Sequence, residues 1–140
     1  ENILQLLYNQ DTAFLESDYE MLYMQIRGRI KHRSLIVLYT NFESLSGLNR
    51  QLNYLRSIAK HHLLMVVFFE NTELHALSHL DAKNIDEVYI KTIAEKFEFE
   101  KRLIVKELKK HGILSILTPP EKLTINAVNK YLELKARQAI

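Results

Sequence analysis

The chain has no cysteine. It therefore holds no disulfide framework, no thiolate metal site and no thiol nucleophile. That fits a reducing, cytoplasmic setting. Glycine occurs only at Gly28, Gly47 and Gly112, so neither a dinucleotide-binding nor a P-loop fingerprint can be written. There is no Gly-x-Ser-x-Gly elbow. A Ser/His/Asp site gathered from distant positions stays open, because such triads are defined by geometry. The longest apolar run, Leu63 to Phe69, is far too short to cross a bilayer, and no membrane contact is expected of this segment. No charged-then-apolar leader opens the chain. It begins at Glu1 rather than Met, which reads as a processed or excised piece. The formal net charge of +2 makes no bulk-charge case for nucleic acid.

What is present is ordinary for a globular domain: 140 residues, 47% hydrophobic and 26% charged. A chain of this length forms one domain and buries about two-thirds of its unfolded surface. Its organising stretch is Ser34-Leu35-Ile36-Val37-Leu38-Tyr39-Thr40-Asn41-Phe42-Glu43. A continuous apolar run ending in a hydroxyl, an amide and a carboxylate reads as a buried parallel strand that opens onto a polar loop. Ligand sites in open α/β sheets gather at such strand ends.

Two more apolar runs follow at about 62–69 and 113–117, against 34–40 for the first. Helical periodicity marks Asn2 to Tyr8, Tyr19 to Ile30 (capped by Ser17 or Asp18), Ser46 to His61, a short helix through Leu80, Asn84 to Lys110, and Glu121 to Gln138. In the long helix, Ile85, Val88, Tyr89, Ile93, Phe97, Ile104 and Leu108 return to one side, and Gly112 stops it. Phe97 and Phe99 lie two apart, so at most one faces the core. Continuous strands separated by helices predict a three-layer α/β/α fold with a short parallel sheet in the order 1-2-3. Right-handed crossovers put the connecting helices on one face. The helix before the first strand and the closing helix are expected on the other, the latter docked through Ala127, Val128, Tyr131, Leu132 and Leu134.

Several side chains could carry chemistry. His75 and His79 are spaced to chelate zinc on a helix, with Asp81 the adjacent acid; two exposed histidines are the plainer reading. Glu95, Glu98, Glu100 and Glu107 could pair for acid–base work or be ion-paired on a solvated face. Lys101, Arg102, Lys106, Lys109 and Lys110 form a basic patch without interleaved aromatics, for which a solvated face is preferred to phosphate contact.

The closing segment, Pro119-Pro120-Glu121-Lys122-Leu123-Thr124-Ile125-Asn126-Ala127-Val128-Asn129-Lys130-Tyr131-Leu132-Glu133-Leu134-Lys135-Ala136-Arg137, resembles the C-terminus of the bacterial family called domain of unknown function fifty-eight. The stretches Glu16 to Tyr23, Arg33 to Glu43 and His61 to Leu77 fit it too. The resemblance implies the distal half of a von Willebrand factor type A-like domain, with the Asp-x-Ser-x-Ser loop absent from this chain. It aligns Ser17 with a Thr metal ligand and Asn41 with an Asp ligand, an incomplete site for Mg²⁺ that a full-length domain would complete. It also implies work beside a MoxR-type AAA+ ATPase and a parent protein tethered to the inner membrane by upstream helices.

The expected function is a non-enzymatic protein-interaction scaffold without nucleic-acid partners. The alternative is a small metal-assisted hydrolase using His75, His79 and nearby carboxylates. A free edge on Leu35–Tyr39, with apolar Leu4, Leu7, Phe14 and Leu22 nearby, further predicts a homodimer or larger assembly.

Overall fold

The computed structural model of the chain describes Ile3, Gln5 and residues 17–139. The expected helix at Asn2–Tyr8, with Leu4, Leu7 and Phe14, lies outside the described residues except for Ile3 and Gln5, which are helical. From residue 17 onward the order is α1 (Tyr19–Arg29), β1 (Leu35–Tyr39), α2 (Leu45–Ala59), β2 (Leu63–Phe69), α3 (Thr72–Ser78), α4 (Ile85–Lys110), β3 (Leu114–Thr118), a 3₁₀ turn (Pro120–Lys122) and α5 (Leu123–Ala136).

Side-chain caps begin four of these helices, each satisfying an orphan N–H of the first turn. Asp18 accepts from the Met21 N–H at 2.8 Å and starts α1. Ser44 accepts from Gly47 at 3.2 Å. Asn71 accepts from both Glu73 and Leu74 at 3.1 Å, and Asn84 from Glu87 at 2.8 Å. Helix α4 ends where Gly112 takes φ 71°. There the Ile113 N–H returns to the Leu108 carbonyl at 3.0 Å and the Gly112 N–H to Lys109 at 3.0 Å, a Schellman stop that needs the left-handed residue.

The three strands form one parallel sheet in the order β1-β2-β3. Leu35 pairs with Leu63 and Tyr39 with Val67; Met65 pairs with Leu114 and Phe69 with Thr118. The strand period of two sorts β2 between the layers. Leu64, Val66 and Phe68 enter a large cluster with Leu48, Leu52, Leu55 and Ile58 of α2 and Ile104 and Leu108 of α4. Met65 and Val67 enter a smaller cluster with Leu134 of α5. The expected three-layer α/β/α fold with its short parallel sheet is the observed one.

Three details depart from the sequence reading. Helix α1 lies on the large-cluster face with Tyr19 and Ile26, packed beside α2, and not opposite. The handedness rule constrains only helices between parallel strands; α1 precedes the first strand and goes where α2 offers apolar surface. Helix α5 docks through Leu134 and Leu123, while Val128, Tyr131 and Leu132 are exposed. Finally, α4 outruns the sheet. Its 26 residues at about 1.5 Å each span roughly 39 Å, whereas the seven of β2 at about 3.3 Å span roughly 23 Å. Ile104 and Leu108 are 0% exposed, but Ile85 is 87% and Tyr89 68% exposed. Phe97 and Phe99 are both exposed as well, so neither faces the core.

Candidate functional site at the strand ends

Because the strands are parallel, their carboxyl ends open on the same side. There Asn41, Glu43, Glu70, Asn71 and Pro120 meet the middle of α4 around a cleft of about 680 Å³. Its floor is pinned from several elements. The Tyr19 hydroxyl hydrogen-bonds Thr40 just after β1, and its ring stacks on Phe42 with centroids 5.7 Å apart. Burial pushes the Tyr19 phenol up from its ordinary value, against the opposing pull of the Thr40 hydrogen bond. At the end of β3, buried Thr118 accepts from Asn126 Nδ2 at 2.7 Å, tying α5 to the same rim.

Lys101 and Arg102 both line this cleft, and Lys101 is the half-buried one. Its Nζ donates to the Phe42 carbonyl at 2.8 Å and to Asn41 Oδ1, and lies 5.4 Å from the Phe68 ring centroid. Burial pulls its pKa below the ordinary lysine value, partly offset by the Glu43 carboxylate. Lys101 therefore leaves the expected basic patch: it braces the loop after β1 while Arg102 and Lys106 stay exposed. Its neighbour in the chain, Glu100, accepts from the Leu45 N–H at 2.8 Å, so it serves the start of α2 and not an ion pair.

Ser17 is exposed immediately before the capping Asp18. Asn41 gives its side-chain oxygen to the Lys101 ammonium. The pair supplies no charged oxygen, which a hard cation such as Mg²⁺ favours, and a cation at Asn41 would meet the charge of Lys101. On this chain's residues alone, Ser17 and Asn41 do not fit a Mg²⁺ ion.

A second group stands on the cleft wall. His75 Nδ1 is 2.7 Å from Glu98 Oε1, and the His75 and His79 rings are 4.5 Å apart between centroids. The buried Ser78 hydroxyl lies 2.8 Å from the His75 carbonyl and 2.9 Å from Glu98 Oε1. Burial raises the Glu98 pKa, but hydrogen bonds from Ser78 and His75 and the charges of both histidines outweigh it. The carboxyl is held below the ordinary glutamate value. Of the four glutamates singled out on α4, Glu98 pairs with His75 and Glu107 with His111 and Lys110.

The sequence offered His75 and His79 but named Asp81 as their acid. The acid is Glu98, 23 residues beyond His75, and no spacing rule reaches across the turn between α3 and α4. No family model matches the chain, and neither a curated protein nor a solved structure matches it.

Proposed function

We propose that this chain is a non-enzymatic protein-interaction scaffold, the distal half of a von Willebrand factor type A-like domain that engages a protein partner. The observation that carries the reading is the overhanging half of α4. Ile85, Val88, Tyr89 and Ile93 form a helical stripe at spacings of three and four, and all are exposed. Large apolar side chains gathered on one stripe mark contact surfaces more often than scattered ones do. The free edge of β1 adds a second contact surface: among the described residues it pairs only with β2.

Two partners suit these surfaces. One is a second copy of the chain; the other, which rests on the family resemblance alone, is a MoxR-type AAA+ ATPase. No helix among the described residues is long and apolar enough to cross a membrane.

Light scattering after size exclusion at micromolar concentration tests self-association. The expected mass exceeds the 16.5 kDa of one chain, and Val88→Asp with Tyr89→Asp should lower it toward that value. A wild-type monomer overturns the homo-oligomer. Binding to a purified MoxR-type ATPase, measured by interferometry and abolished by the same pair of substitutions, tests the other partner.

A further inference from the structure

Helix α3 and its C-cap carry His75 and His79 one turn apart, and α4 brings Glu98 against them. One potential ligand atom from each of the three lies within 4.8 Å of the other two. We propose that His75, His79 and Glu98 form a binding site for a single zinc ion, with two imidazoles and one carboxylate as ligands and water at the fourth position.

The donor set is right for the metal: imidazole nitrogen and carboxylate oxygen at about 2.0–2.2 Å, with three protein ligands and an open position, is a common zinc arrangement. Ligand atoms at that radius around a tetrahedral centre stand roughly 3.3–3.5 Å apart. The present group lies within 4.8 Å, and because both imidazoles are exposed it would adjust to that spacing as the metal binds. The His79 ring can offer a lone pair as well. Its Nδ1 lies 2.9 Å from the His75 carbonyl oxygen and 2.9 Å from the Ser78 hydroxyl. In the tautomer that donates from Nδ1 to the carbonyl, Nε2 keeps its lone pair. Ligating histidines are commonly oriented by such a second hydrogen bond.

Ser78 supplies the same service to the carboxylate, its buried hydroxyl 2.9 Å from Glu98 Oε1. The 2.7 Å contact between His75 and Glu98 is the metal-free form of the site: zinc replaces the proton held between them. One carboxylate against the dication leaves a local charge of +1 with the imidazoles neutral. Because His75 and Glu98 also line the strand-end cleft, the ion stands on its rim.

A plain helix-to-helix ion pair explains the His75–Glu98 contact and has no use for the imidazole of His79. That difference selects the experiment. Zinc is titrated calorimetrically into the chelator-treated full chain near neutral pH, with Co²⁺ as a spectroscopic substitute. One equivalent should bind, and Co²⁺ should show the intense visible absorption of a four-coordinate site. His79→Ala and Glu98→Gln should each weaken zinc binding by more than about 100-fold, beyond what losing an outer partner costs. Asp81→Asn should bind as the wild type does. Zinc should raise the melting temperature of the wild type and leave that of His79→Ala unchanged, with far-UV circular dichroism verifying that the variant is folded. Failure of the wild type to bind, or affinity retained by either His79→Ala or Glu98→Gln, overturns the site.

Discussion

Val67 and Val88 are the same residue type, one in the unbroken apolar run of β2 and the other in the apolar stripe of an amphipathic helix. Val67 lies mid-strand in β2 and is 1% exposed, while Val88 lies on the overhang of α4 and is 52% exposed. The sheet has a layer on each side and β2 has a strand on each edge, so its side chains have somewhere to go. The first half of α4 projects past the sheet with α3 packed beside it. The contrast teaches that an apolar repeat predicts burial only as far as another element extends to meet it.

The largest test is a charge placed at each valine. Val67→Asp buries an unpaired carboxylate and should cost several kcal/mol, about 3 or more, in urea unfolding. Val88→Asp should change the stability of the dissociated chain by less than about 0.5 kcal/mol, read at concentrations below self-association. Equal losses under those conditions would mean that the overhang is covered within the chain. Next come two isoleucines of the same helix. Ile104→Ala removes a fully buried side chain and should cost about 2–5 kcal/mol, whereas Ile85→Ala should again stay within about 0.5 kcal/mol. A smaller effect should follow Asn84→Ala, which deletes the cap of α4 and should cost about 1 kcal/mol. Hydrogen exchange should show the gain in exchange confined to the overhang and absent at Ile104 and Leu108. If protection falls evenly along α4, the helix behaves as one unit and the comparison fails.

The smallest effect is a pH dependence at the junction of the two regions. The Glu98 carboxyl is held below its ordinary value of 4.5. A carboxyl depressed in the folded state stabilises fully above its unfolded pKa, and the contribution is lost as pH falls through the folded value. Wild-type stability should therefore decline below about pH 4.5 more steeply than that of Glu98→Gln, read as urea midpoints across that window. Parallel acid limbs would show that the hydrogen bonds from Ser78 and His75 carry no linkage.

The long buried runs were legible because a parallel strand covered on both faces needs every residue apolar. Leu63 to Phe69 can hardly be anything else. The caps were legible in part: Ser17 and Asp18 were equal candidates, and the choice of Asp18 depended on which oxygen reaches the Met21 N–H. The placement of α1 was not legible, since no crossover ties it to a face. Glu98 was hidden among the acids of α4, and Lys101 among its cations. Only contacts across 23 residues to His75 and 59 residues to Phe42 distinguish them.

By itself, then, the sequence determined the local features: a helix from its 3.6-residue repeat and its caps, a strand from its unbroken apolar run, and a parallel sheet from their alternation. These follow from backbone geometry and from neighbours a few residues apart. Tertiary structure alone decided which apolar side chains found a partner, which lysine braced the strand-end loop, and which carboxylate met His75 and His79. Those outcomes depend on where separate elements end in space. A helix of roughly 39 Å laid on a sheet of roughly 23 Å leaves a stripe uncovered, and no pattern along the chain states that difference in length.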